Sequence, residues 1–163
     1  MARRLANFFR LSFSDQRLLM RAALAVVSAK LAVRTLRLPA ARATVTRLER
    51  LGWPERLGWP ERLGRIVAPV RADRIVWAVE TAGRTIPGMK NCLVQAVAAE
   101  AMLIRAGHPC ALRIGVAKNG PDELIAHAWL ESEGRVVIGE FELDRYTPLT
   151  APHLQSGTPP AQR

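Results

Sequence analysis

Cys92-Leu93-Val94-Gln95-Ala96-Val97-Ala98-Ala99-Glu100-Ala101-Met102-Leu103-Ile104-Arg105 decides the fold, because the period of the chain changes on either side of it. The run is rich in Ala, Leu and Met, contains no Gly or Pro, and is stopped by Gly107 and Pro109, so it reads as a helix. Beyond it the apolar residues recur every second position. Ala111 to Ala117 alternates as a strand, Lys118 to Asp122 makes a turn, Leu124 to Glu131 is a second strand, and Ser132-Glu133-Gly134 turns into a third, Arg135 to Ile138. Before it stands a loop, Thr85 to Lys90, and before that residues 65–82 read as a helix, with Gly83 as its C′ glycine. Helices first and an antiparallel meander last define an α+β fold.

Upstream, residues 5–38 read as helix, with Ser14-Asp15-Gln16 able to cap a start near Gln16. Arg10, Arg17 and Arg21 cluster on one side, whereas Lys30, Arg34 and Arg37 fall on roughly the opposite side at 100° per residue. One membrane-surface helix would keep a single polar face. The pattern instead favours a bent helix, or two helices, packed on the rest of the protein. Leu18 to Leu38 is too often interrupted by Arg and Lys to span a bilayer.

The organisation is therefore a basic helical region over residues 1–50, a linker over 51–64, a core over 65–150, and a Pro- and Gly-bearing tail over 151–163 that is expected to be disordered. In the linker, Arg50-Leu51-Gly52-Trp53-Pro54-Glu55 is followed directly by Arg56-Leu57-Gly58-Trp59-Pro60-Glu61, and a third copy begins. Gly and Pro in each copy prevent a regular helix, and the period is far below those that build solenoids. It reads as a duplication within a surface segment.

The chain has 163 residues, 49% of them hydrophobic, which suits one folded domain rather than a disordered chain. Lys and Arg number 24 against 14 Asp and Glu, a formal charge of +10 concentrated at the front. Such a field favours an anionic partner, but basic charge without interleaved aromatics does not define a nucleic-acid module. Two cysteines do not make a disulfide framework, and the basic start Met1-Ala2-Arg3-Arg4 is followed by no uninterrupted apolar h-region or small-residue cleavage site. The expected setting is the reducing cytoplasm, with no nucleic acid and no membrane contact.

Cys92 carries the chemistry. At the start of a helix a thiolate faces unpaired backbone N–H groups and the positive end of the helix dipole, which favour the anion. The same N–H groups can stabilise the oxyanion that forms when sulfur attacks a carbonyl. A base must stand within reach, and a third group must orient it. His127, on the middle strand of the meander, is the candidate base; alternation puts it on one face with Trp129 and Glu131, opposite Ala126, Ala128 and Leu130. Cys110 reads as a core thiol and His108 as a loop residue. Cys92, His108, Cys110 and His127 are the ligand types of a zinc site, but no paired C-x₂-C spacing supports one, so no metal and no cofactor are expected.

Asn91-Cys92-Leu93-Val94-Gln95-Ala96, then Leu103 to His108, Leu112 to Val116, and Ala126-His127-Ala128-Trp129-Leu130-Glu131 with Gly134 together resemble the lasso-peptide leader peptidases, a microcin-processing family of cysteine peptidases with a transglutaminase-like core. The resemblance covers roughly Pro87 to Leu149. It implies a transglutaminase/papain-like core in which a Cys-bearing helix packs on a small antiparallel sheet. It also implies a peptidase that removes the leader from a ribosomally made precursor peptide before an asparagine-synthetase-like lasso cyclase closes the ring. Residues 1–50 leave no room for the strands of a leader-recognition domain, so a separate leader-recognition protein is implied, with the basic front as its docking surface. The family places an Asp soon after the His. Here Glu140 stands near that position and is the first choice for the third member, Asp144 the next, and a backbone carbonyl or amide the remaining option. The competing readings are a cysteine amidase or acyltransferase on another substrate, and a non-catalytic basic scaffold.

Overall fold

The computed structural model describes residues 9–51, 70–120 and 122–149. The Trp-Pro repeat, residues 65–69 of the second expected helix and the tail lie outside them. Four helices, α1 (Phe13–Thr35), α2 (Leu38–Arg50), α3 (Ala72–Thr85) and α4 (Cys92–Arg105), precede strands β1 (Cys110–Lys118), β2 (Leu124–Ser132), β3 (Arg135–Ile138) and β4 (Thr147–Pro148). The α+β expectation holds.

α1 begins at Phe13, earlier than the Ser14 cap suggested, because the Ser12 hydroxyl accepts the Asp15 N–H at 3.2 Å. The expected break in the front helical region falls at Leu36 and Arg37, which are extended. Pro39 then sits in the first turn of α2, where its missing N–H leaves no bond unmade. α3 runs through Gly83 rather than ending there, a correction to the C′ reading. Its reason is close approach: a Cβ at Gly83 would stand 2.6 Å from Nε2 of Gln95 on α4.

α4 is the centre of the molecule. Residues from Ala96 through Leu103 are all buried, as befits a helix apolar on every side. α1 lays Leu18, Ala22, Ala25, Val26 and Ala29 into the same core, a stripe at helical spacing whose small side chains let the helices approach closely. The most deeply buried charge, Glu100, is 1% exposed and is held by Arg42 of α2, whose Nε donates to Oε2 at 2.8 Å.

The sheet order is β3-β2-β1-β4, all antiparallel. Leu112 pairs with Leu130 and Ile114 with Ala128, and these residues meet the helical core. The alternate positions, Gly115 opposite His127 and Arg113 opposite Trp129, form the other face. β4 was not anticipated. Two residues long and containing Pro148, it pairs at the edge of β1, where a missing N–H is tolerated.

Candidate active site

α4 starts at Cys92, as the sequence indicates, and Asn91 caps it: the Asn91 Oδ1 accepts the Val94 N–H at 3.1 Å. The first four amides of a helix have no intrahelical partner. Here the Asn91 N–H goes to the Met89 carbonyl at 2.8 Å and that of Val94 to the cap. Among the described residues this leaves the amides of Cys92 and Leu93 as the donors beside the half-buried thiol.

Cys92 and His127 border one cavity of about 340 Å³, with Leu93, Ile114, Ala126 and Ala128 as its apolar wall and Lys30 and Arg34 of α1 on its rim. α4 packs on the Ala128–Leu130 face of the sheet and alternation puts the His127 side chain on the other face, yet both Cys92 and His127 line the cavity. No hydrogen bond joins the two among the described residues. Contacts of this kind commonly tighten only when substrate is bound.

His127 is held on three sides. Its ring stacks on Trp129 (centroids 6.3 Å apart, planes 20° apart) and tilts against Tyr146 at 5.1 Å. Its Nε2 lies 2.7 Å from the Gly139 carbonyl oxygen. A carbonyl only accepts, so Nε2 carries the proton and Nδ1 is the basic nitrogen. The Gly139 carbonyl is thus the group that fixes ring and tautomer, the backbone option among the three. Gly139 can do this because it has no side chain: at φ +80° it passes so close to β2 that a Cβ would lie 2.7 Å from the Ala128 carbonyl oxygen. Glu140 follows it, exposed, and Asp144 lies exposed in a 3₁₀ turn, Leu143–Arg145; neither hydrogen-bonds His127 among the described residues.

The aromatic wall is itself anchored. Trp129 Nε1 donates to Glu131 Oε1 at 3.0 Å, and Arg113 Nε donates to the other oxygen at 3.1 Å. A Cβ at Gly115 would meet both Trp129 and Tyr146 at 2.9 Å, so glycine there lets them close on His127. Tyr146, Gly139 and Gly115 were missed from the sequence. Only the spacing of Gly139 from His127 hinted at a role, since the third member was sought beside it.

Cys110 is a different thiol. It is buried with Sγ 3.9 Å from the Glu100 carbonyl, and burial, with the Glu100 charge adding to it, pushes its pKa up to about 12. His108 Nε2 donates to the Val70 carbonyl oxygen, 2.7 Å away. The four residues weighed as zinc ligands do not converge, and no group of three metal-ligating side chains occurs among the described residues.

A family model, the transglutaminase-like superfamily, matches residues 9–151. The chain belongs to that superfamily, whose members are in general cysteine hydrolases and transferases. The match takes in the N-terminal helices as well as the sheet. No curated protein and no solved structure matches the chain.

Proposed function

We propose that the protein is a cysteine peptidase that removes the leader from a lasso-peptide precursor, with Cys92 as nucleophile and His127 as base. The observation that carries the catalytic part is the shared cavity: Cys92, at the first residue of a helix with two free amides, and His127, whose tautomer is fixed, both line it. The leader-peptidase part rests on the resemblance of the Cys92 and His127 segments to that family.

The chemistry follows from the groups present. His127 Nδ1 takes the thiol proton, and the sulfur attacks the scissile carbonyl carbon. The amides of Cys92 and Leu93 stabilise the oxyanion. As the C–N bond breaks, the imidazolium returns the proton to the leaving amine, and a thioester remains on Cys92. Water, deprotonated by the same nitrogen, cleaves it and frees the carboxylic acid and the thiol. Its partners in this reading are the precursor peptide, a separate leader-recognition protein and an asparagine-synthetase-like cyclase acting on the released core.

The test is to incubate the protein with precursor, with and without the recognition protein, and weigh the products. Leader and core masses should form with the wild-type chain and vanish with Cys92→Ala. An intact precursor under all conditions, beside rapid hydrolysis of simple amides, would move the assignment to an amidase or acyltransferase.

A further inference from the structure

Two cations stand at the rim of the Cys92 cavity that the reaction scheme does not use. Lys30 and Arg34 lie four residues apart on α1, hence on one face of the helix. Both line the cavity, and its lining contains no Asp or Glu. Lys30 is half-buried, and its Nζ donates to the Gly88 carbonyl at 2.7 Å, which ties α1 to the loop leading into Cys92. An ammonium has three donors, so two remain. Arg34 is exposed and has no ion pair among the described residues. This sets it apart from Arg21, Arg42 and Arg74, whose charges are all matched by carboxylates. The apolar wall opposite lowers the effective dielectric and concentrates the field of these charges in the cavity.

We propose that Lys30 and Arg34 form an anion subsite of this cavity, and that the acyl substrate carries a carboxylate within a side chain's reach of the carbonyl that Cys92 attacks. The proposal rests on Cys92 being the nucleophile and adds the substrate's charge to that reading. A planar guanidinium can take a carboxylate through two parallel N–H···O bonds, and the lysine adds a point charge beside it. An acidic group so held fixes the register of an extended peptide, which neither the thiol nor the small apolar wall can do alone.

Alkylation of Cys92 tests this without requiring turnover. Iodoacetate carries the carboxylate and iodoacetamide does not, and both lose iodide to the same thiolate, so the ratio of their rates cancels the ionised fraction of the thiol. Peptide mapping reads Cys92 separately from Cys110. At low salt the acetate-to-acetamide ratio at Cys92 should exceed that of N-acetylcysteine by about fivefold, and it should shrink as ionic strength rises. Arg34→Glu should bring the ratio below the free-thiol value, Lys30→Gln should lower it part of the way, and Arg34→Lys should hold it near wild type. A wild-type ratio equal to that of N-acetylcysteine and unmoved by Arg34→Glu would overturn the subsite. That result would leave the nucleophile in place, because iodoacetamide still reports the reactivity of Cys92 in every variant.

Discussion

The two cysteines of this chain stand in different surroundings. Cys92 opens a helix beside a cavity; Cys110 lies in the core, where ionisation is suppressed. The sequence alone separates them, since one precedes an apolar helical run and the other follows a Gly-His-Pro break. What fixes the histidine was less legible. A search for carboxylates points to Glu140, but a backbone carbonyl leaves no mark in a sequence, and only the close pass of Gly139 along β2 brings that oxygen to Nε2. The consequence is measurable. If the Gly139 carbonyl orients the ring, Glu140→Gln should keep the rate of precursor cleavage within about threefold. Losing a carboxylate that truly orients a catalytic histidine costs far more, on the order of 10⁴-fold. A comparable loss in Glu140→Gln, with folding intact by circular dichroism, would return the third place to the carboxylate.

At the scale of elements, the parts read correctly were those with strong periodicity. α4 starts and ends where its composition says, and β3 matches residue for residue, because Gly and Pro bound the first and a tight turn the second. The errors arose where tertiary contact overrides local signals. Gly83 looks like a helix stop and is a helix–helix contact; Thr147–Pro148 is too short to alternate and is a strand only because β1 offers an edge. Glu100, a lone charge in the apolar run of α4, is 1% exposed and paired with Arg42, 7% exposed. Removing one member of such a pair strands a buried charge, so Glu100→Ala should lower the unfolding free energy by about 3–5 kcal/mol in urea titrations. The double change Arg42→Met with Glu100→Leu should recover most of that loss, since well-packed apolar pairs commonly replace buried ion pairs. A double variant as unstable as the single one would mean that the pair does more than neutralise itself.

For the whole molecule, the charge of +10 suggests a surface open to anions, yet part of the basic front is spent internally. Arg21 donates to Glu49 at 3.0 Å and joins α1 to α2, Arg42 pairs with Glu100 of α4, and the front's Asp15 is taken by Arg74 of α3. Of the three arginines clustered on one side of the basic front, Arg21 is therefore a packing residue, and Arg10 and Arg17 are the ones to vary in a test of partner docking. No described helix is long and apolar enough to cross a membrane. Stability should fall toward both ends of the pH range. The Arg74 hydrogen bond holds the Asp15 carboxyl below its ordinary value, so its contribution is full above about pH 4 and is lost as pH drops through the depressed value. Cys110 acts in the opposite direction: above about pH 9 the unfolded thiol gives up its proton and the folded one keeps it, so stability declines as pH rises toward 12. Cys110→Ala should flatten the alkaline side of a melting-temperature profile and leave the acid side unchanged; an unchanged alkaline limb would contradict the assignment.

Superfamily and fold were accessible from matched blocks and their spacing, whereas the way His127 is held depends on residues brought together only by the sheet. In the proposed reaction Cys92 attacks a peptide carbonyl with His127 as its base. The most direct measurement is the mass spectrum of precursor incubated with the recognition protein and either wild-type chain or Cys92→Ala. Separate leader and core masses are expected with the first and intact precursor alone with the second. Cleavage by Cys92→Ala at the wild-type rate would contradict this mechanism.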